Sequence, residues 1–504
     1  MKNKNKVVLL VLDGVGINRA YSGNAVSVAE MNTLENLKKK YPYTKLGASE
    51  KFVGLPEGQM GSSEVGHSTF GAGRIIDSEI IRINKAIKSG AFAKNKVLVK
   101  NLKKIKGNQS LHLVGLLSDG GVHSHKDQLY SILNILKKYE NISQIYLHLF
   151  TDGRDTDPYS AKGFLEELLS KKTKKASIAS ISGRYYGMDR DNHWDRLKKV
   201  YDLLVYGKGS ISKDDPIDFI EKSYEKKITD EFLEPTLFDT SSLIKNNDTI
   251  LFFNFRSDRA RMFTRMFVDK RFDVFNTKKI NVNFLTLTEY DSKLKNLKVM
   301  FPPEKQKPGL GQIISKLGYR QLRLAETEKF AHVTYFFNLG QERPNKKESR
   351  ILVPSPGVLT YDLKPEMSVK IITQKLIENI NKDFKFILVN FANGDMVGHT
   401  GNLKAAVKAL KTIDQCLALI LRKIDLNTTT LIITADHGNC DMMINKDGSI
   451  NTSHTLNKVP FIILSKDKYS LKMDKEYSIA NIAPTILKIL KLRVPTYMEK
   501  DLLE

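Results

Sequence analysis

The sequence predicts an α/β protein built from more than one domain. Three observations carry this. Wholly apolar runs of strand length recur between stretches of helical periodicity. A chain of 504 residues exceeds what one compact core organises. Three of the apolar runs end in an acidic residue, the place where parallel sheets put their ligands.

Val7–Leu12 is a continuous apolar run, as expected of a strand covered on both faces, and Asp13-Gly14 ends it. Leu111–Leu117 and Ile145–Phe150 read as further strands. Phe386–Phe391 runs into Ala392-Asn393-Gly394-Asp395, and Leu431–Thr434 into Ala435-Asp436-His437-Gly438. Leu403–Ile424 repeats Leu403, Val407, Leu410, Ile413, Leu417, Ile420, Leu421 and Ile424 at helical spacing. Tyr206–Lys227 is polar and basic and reads as a surface excursion. Two junctions stand out: one near Ile76–Ile83, after the Gly-rich Gly66–Arg74, the other at Phe301–Gly311, where Pro302, Pro303 and Pro308 break regular structure.

Composition excludes some classes and leaves others open. With 41% hydrophobic and 27% charged residues the chain is globular. Its net charge of +24 attracts anions of any kind and does not choose among nucleic acid, membrane surface and phosphorylated small molecules. No zinc-finger spacing, RNA-recognition signature or basic tail supports nucleic acid. The apolar run after Lys2, Lys4 and Lys6 is shorter than the roughly seven to fifteen residues of a signal core. No stretch approaches the roughly 20 apolar residues of a membrane span. Two cysteines, Cys416 and Cys440, suggest neither a disulfide framework nor a CxxC site. A cytoplasmic protein is expected, without nucleic-acid or membrane partners. Cys440 is expected to pack, not to ligate.

The three strand-end carboxylates have histidines beside them: His399 after Asp395, His437 next to Asp436, and His454 in Asn451–His454. Mixed Asp/His donors suit borderline divalent metals, and two ions about 3.5–4 Å apart clamp the oxygens of a phosphoryl transfer. Gly58–His67 places Ser62 and Ser63 among glycines, a loop able to aim N–H groups at phosphate or to present a nucleophile. The middle third carries Ser118–His125, Thr151–Asp155, Ser182–Tyr186, Met188–Asp191 and Asn254–Arg259. Their arginines offer planar forks to carboxylate and phosphate oxygens.

These motifs, in this order, resemble the cofactor-independent phosphoglycerate mutase family, a branch of the alkaline phosphatase superfamily. Leu12–Gly14, Gly58–His67, His123–His125, Asp152–Asp155, Ser182–Arg190, Asn254–Arg259, Glu326–Lys329, Asn393–His399, Ala435–Asn439 and Ser453-His454 carry the likeness over nearly the whole chain. It implies an alkaline-phosphatase-like sheet domain sandwiched by helices (1–77 and 303–504) with a second α/β domain (78–302) inserted into it.

It also implies interconversion of 3- and 2-phosphoglycerate through a phosphoserine, with two divalent ions, Mn²⁺ ahead of Mg²⁺ or Zn²⁺, and no bisphosphoglycerate. One ion would be held by Asp395, His399 and His454, the other by Asp13, Asp436, His437 and the nucleophile Ser63. His123, Arg154, Asp155, Arg184, Arg190, Arg256, Arg259 and Lys329 would bind substrate, with Asp155 shuttling the proton. The expected state is a monomer. One departure is Ser62, where the family has Asn; Ser62 would offer phosphate a shorter-reaching hydroxyl. Within the superfamily, a phosphomonoesterase or phosphopentomutase is the alternative.

Overall fold

Two parallel-rich sheets dominate a computed structural model that describes residues 5–278 and 280–504. Lys2 and Lys4 of the basic start lie outside the described residues. The chain divides into two compact units, Met1–Ser78 with Lys305–Glu504, and Glu79–Glu304.

The first unit is built on a seven-stranded sheet. Its strands run, edge to edge, Glu348–Val353, Gln321–Glu326, Phe386–Phe391, Lys6–Leu12, Thr429–Thr434, Val459–Leu464 and Tyr43–Leu46. The first five are parallel; Val459–Leu464 runs antiparallel to both its neighbours. Every residue from Val7 to Leu12 is fully buried. Such a strand needs cover on both faces, which explains its unbroken apolar sequence. The Leu403–Lys423 helix, capped by the Asn402 side chain on Ala405 N–H, supplies cover through Ala409, Leu410, Ile413 and Ile420.

The Glu79–Glu304 unit has an eight-stranded sheet. Its order is Lys298–Phe301, Asn283–Thr288, Thr249–Phe252, Leu111–Leu117, Ile145–Thr151, Ala176–Gly183, Thr236–Leu237, Ser210–Ile211. Leu111, Leu113 and Leu117 point into one core and Val114 and Leu116 into another, so cores lie on both faces. The two ends of this unit are clasped together: Arg82 donates to the Pro302 carbonyl at 2.6 Å and lies 3.7 Å from Glu304.

The Tyr206–Lys227 reading needs correction. Pro216–Glu225 is a helix with Asp215 as N-cap and Pro216 in its first turn, and Ile220 is fully buried. Dense Lys, Asp and Glu mask a narrow apolar stripe of Ile217, Ile220 and Tyr224, which packs on the core.

Candidate active site and metal centre

Three adjacent parallel strands deliver the acids. Phe386–Phe391, Lys6–Leu12 and Thr429–Thr434 lie side by side in register. Asp13, Asp395 and Asp436 therefore come off their carboxyl ends together, each almost completely buried. Close packing holds them there. A Cβ on Gly14, whose φ is +75°, would meet the Asp395 backbone at 2.7 Å.

Ser63 opens the Ser63–Ala72 helix, where unpaired N–H groups and the helix dipole favour negative charge. Its Oγ lies 2.6 Å from Lys329 Nζ, 2.9 Å from His437 Nε2 and 3.2 Å from Asp13 Oδ1. Ser62 is the N-cap, its side chain accepting from Val65 N–H at 3.4 Å. Lys329 also donates to Asp13 Oδ1 at 3.0 Å and Asp395 Oδ2 at 2.5 Å. Burial opposes its charge, but Asp13, Asp395 and Asp436 outweigh that and keep it protonated. Burial, then the neighbouring Asp436, pushes the Asp13 carboxyl up. Asp395 is held well down despite its burial, by Lys329 and by hydrogen bonds from His399 and His454.

The histidines show what the cluster is built to hold. His399 Nδ1 donates to the Thr452 carbonyl at 2.8 Å, His454 Nδ1 to Gly61 at 2.8 Å and His437 Nδ1 to Gly438 at 3.3 Å. Carbonyls only accept, so each ring carries its hydrogen on Nδ1 and turns Nε2 inward. The Nε2 atoms of His399 and His454 lie 3.1 Å from each other and each 3.1 Å from Asp395 Oδ1.

Lone pairs meeting a carboxylate this closely repel unless a cation lies among them. The Asp395 carboxylate raises the pKa of His399, and that of His454 against the effect of burial. Asp436 has an acceptor that the protein leaves unserved. His67 Nδ1 is 3.2 Å from Asp436 Oδ2, yet its hydrogen goes to the Ser63 carbonyl at 2.9 Å, leaving the buried Oδ2 without a donor. Within this cluster two sets of donors can accept an ion: Asp395, His437 and His454, joined by His399, and Asp13, Asp436 and His437. The residues fit divalent metal ions.

The Glu79–Glu304 unit gathers a second site, again at strand carboxyl ends. Arg184 is buried and gives its Nη1 to both Asp152 Oδ1 and Asp155 Oδ2 at 2.6 Å. Asp258 accepts from Arg190 at 2.8 Å and pairs with Arg256 at 3.1 Å. Arg259 donates to the Met188 carbonyl at 3.0 Å; burial and the charges of Arg184, Arg190 and Arg154 depress its ionisation. Arg154 reaches Glu231 at 3.4 Å and is half exposed. Between the acids lies His123, 3.9 Å from Asp155 and 3.6 Å from Asp258, with Nδ1 lacking a hydrogen-bond partner. Burial and the Arg184 charge lower its pKa to about 4, so it is neutral at pH 7. Clustered arginines around a dry imidazole make an anion site.

Known proteins resemble this chain over nearly its whole length. Residues 83–292 match the family model described as BPG-independent PGAM N-terminus. Residues 324–499 match that of type I phosphodiesterase / nucleotide pyrophosphatase. A 2,3-bisphosphoglycerate-independent phosphoglycerate mutase of Clostridium novyi (strain NT) is 47% identical over 504 residues, spanning 98% of each chain. That of Clostridium perfringens (strain SM101 / Type A) is 48% identical over 505 residues, with the same coverage. The chain belongs to the 2,3-bisphosphoglycerate-independent phosphoglycerate mutase family. It is thereby an enzyme, an isomerase. Leishmania mexicana phosphoglycerate mutase, crystallised at low cobalt concentration, superposes with a TM-score of 0.62 at 31% identity, covering 99% of this chain and 98% of that one. The fold class is the one the resemblance implied, α/β with an alkaline-phosphatase-like sheet.

The structure brings Asp13, Ser63, Lys329, Asp395, His399, Asp436, His437 and His454 into one cluster in the first unit. His123, Arg154, Asp155, Arg184, Arg190, Arg256 and Arg259 gather in the other. Other residues, not evident from the motifs, hold these in place. Asn390 donates to Asp13 Oδ2 at 2.7 Å, Asn439 to Asp395 Oδ1 at 3.0 Å, and Ser118 to Asp152 at 2.6 Å. His67 braces the start of the Ser63 helix. Asn390 had a signal: it is the one polar residue in an otherwise apolar strand. Cys440 packs, its thiol 3.2 Å from the Gly14 carbonyl and pushed up by burial.

Proposed function

We propose that the chain interconverts 3-phosphoglycerate and 2-phosphoglycerate through a phosphoserine formed on Ser63, using two divalent metal ions and no bisphosphoglycerate. The observation that carries this reading is the setting of Ser63: a buried hydroxyl at a helix N-terminus, in contact with a protonated lysine, a carboxylate and an imidazole. Asp13, Asp436, His437 and Ser63 would hold one ion, and Asp395, His399 and His454 the other. This mixed oxygen and nitrogen donor set suits Mn²⁺ and admits Mg²⁺ or Zn²⁺. Bound there, such ions supply Lewis-acid stabilisation of phosphoryl oxygens and favour the ionised serine hydroxyl.

The chain's own groups account for the remaining steps. Ser63 Oγ forms a bond to phosphorus as the bond to the glycerate oxygen breaks. Lys329, held protonated by its acidic neighbours, offsets charge on the phosphoryl oxygens and does not act as a base. The departing glycerate oxygen takes a proton, and the other hydroxyl gives one up before it recovers the phosphoryl group. Asp155, fixed by Arg184, is the group for that transfer. Arg154, Arg184, Arg190, Arg256 and Arg259 bind the anionic groups of the substrate, and neutral His123 adds a hydrogen-bonding nitrogen without adding charge.

An enolase-coupled assay without bisphosphoglycerate tests this. Turnover is expected with Mn²⁺, is lost in chelator and is absent in Ser63→Ala with Mn²⁺. Undiminished turnover by Ser63→Ala, or in excess chelator, rejects the reading. Faster release of phosphate from an aryl phosphate, or preference for ribose phosphates, would favour the alternatives within the superfamily.

A further inference from the structure

Arg320, Lys347 and Lys385 each immediately precede a strand of the first unit: Gln321–Glu326, Glu348–Val353 and Phe386–Phe391. These three strands are adjacent, and Gln321 pairs in register with both Glu348 and Phe386. Gln321 N–H donates to the Lys347 carbonyl at 3.1 Å and Lys385 N–H to the Arg320 carbonyl at 2.8 Å. The three cations therefore stand side by side at one level. This is the amino-terminal edge of the sheet, opposite the edge that carries Asp13 and Asp395. Like charges abreast on neighbouring strands repel.

All three line one cavity of about 280 Å³. Lys385 is 7% exposed; its aliphatic stem is covered while its ammonium reaches the cavity. Its ammonium lies over the Tyr319 ring at 5.3 Å, and the Arg320 guanidinium over Phe384 at 4.7 Å. Among the described residues neither donates a side-chain hydrogen bond; Lys347 donates one, to the Gly318 carbonyl at 2.7 Å. Two acids share the cavity. Glu348 is taken up by Arg350, Asn338 and Asn345. Asp383, on the rim, offsets one of the three charges, acting on Lys385 against the depression that burial causes.

We propose that this cavity is a second anion site, separate from catalysis, which binds a small phosphate-bearing anion between Arg320, Lys347 and Lys385. A tetrahedral oxyanion suits it: several acceptor oxygens can serve the unused donors of Lys385 and Arg320 at once, and a divalent charge relieves the repulsion among the three cations. The volume limits the ligand to a phosphate or a small phosphomonoester and is below the roughly 300–1,000 Å³ of drug-sized pockets.

The test follows acylation of Lys385 by mass spectrometry in the full chain treated with chelator. Inorganic phosphate is expected to slow labelling of Lys385 about tenfold at saturation, as site occupancy shields a group. Chloride at equal ionic strength is expected to leave the labelling rate unchanged. Glycerol phosphate in a parallel arm separates a site for phosphomonoesters from one that takes only the free ion; protection by either supports the proposal. Arg320→Gln combined with Lys347→Gln, both on the exposed rim, should abolish the protection while mutase turnover in phosphate-free buffer stays unchanged. Labelling equally fast with and without both phosphates, or protection matched by chloride, overturns the proposal, and the wild-type arms decide this whatever the variant does.

Discussion

Ser63 shows how much a single side chain depends on charges drawn from far along the chain. Its hydroxyl meets Lys329, and that lysine stays charged in a buried place only because Asp13, Asp395 and Asp436 surround it. Lys329→Met should lower kcat by about 10²–10³-fold, the usual effect of removing a donor aimed at developing charge. A kcat within twofold of wild type would remove Lys329 from the mechanism.

Glu326, three residues earlier, is fully buried, with Oε1 unpartnered and Ser355 Oγ donating to Oε2 at 2.9 Å. Burial lifts its pKa from 4.5 to about 7. A raised carboxyl favours the fold while protonated. Its contribution is complete below pH 4.5, declines between 4.5 and 7, and is gone above, a loss of up to about 3 kcal/mol. Glu326→Gln should flatten that decline in thermal midpoint from pH 5 to 8. Parallel profiles for the two proteins would show that Glu326 does not titrate in this range.

At the scale of elements, the site depends on contacts that leave no room for a side chain. The Ser63–Ala72 helix lies against the strand-end segment of Asp436 through Gly66, where a Cβ would stand 2.7 Å from Asp436 Cβ and 2.8 Å from its carbonyl oxygen. Backbone lies there, so the helix or the Asp436 segment must move. Gly66→Ala should lower Mn²⁺ affinity about 10–100-fold, the range for disturbed supports of metal ligands, while far-ultraviolet circular dichroism stays native. Calorimetric Mn²⁺ titration gives the answer, and unchanged affinity would mean that the contact yields without cost. Ser62 belongs to this scale as well. Its side chain caps the helix that Ser63 begins, and so helps to fix where the Ser63 hydroxyl stands. That capping role depends on where Val65 N–H lies, which a serine's position in the sequence does not show.

At the scale of the whole molecule, the Glu79–Glu304 unit carries its own sheet, a core on each face and a clasp between its ends through Arg82, Pro302 and Glu304. It meets the requirements of an autonomous domain. Residues 79–304 expressed alone should melt cooperatively and show no mutase turnover. A noncooperative melt would mean that this unit draws its stability from the rest of the chain.

Fold class was legible because it rests on local pattern. Fully buried strands such as Val7–Leu12 must be apolar throughout, and helices such as Leu403–Lys423 must repeat with the turn; both are visible in a window of a few residues. Pro216–Glu225 escaped because its buried stripe is one residue wide and charges surround it. The acids at three strand ends were legible for the same local reason, since each follows its own apolar run.

An α/β chain, three strand-end carboxylates with histidines beside them and a set of arginine motifs are all readable along the chain. The fold settles that Phe386–Phe391, Lys6–Leu12 and Thr429–Thr434 are neighbours, which sets Asp395, Asp13 and Asp436 together. It also decided which histidine nitrogen turns inward, because that depends on the carbonyls of Thr452, Gly61 and Gly438. The reason is physical: strand order and ring orientation are set by packing and hydrogen bonds between residues tens to hundreds of positions apart, and no local pattern records them.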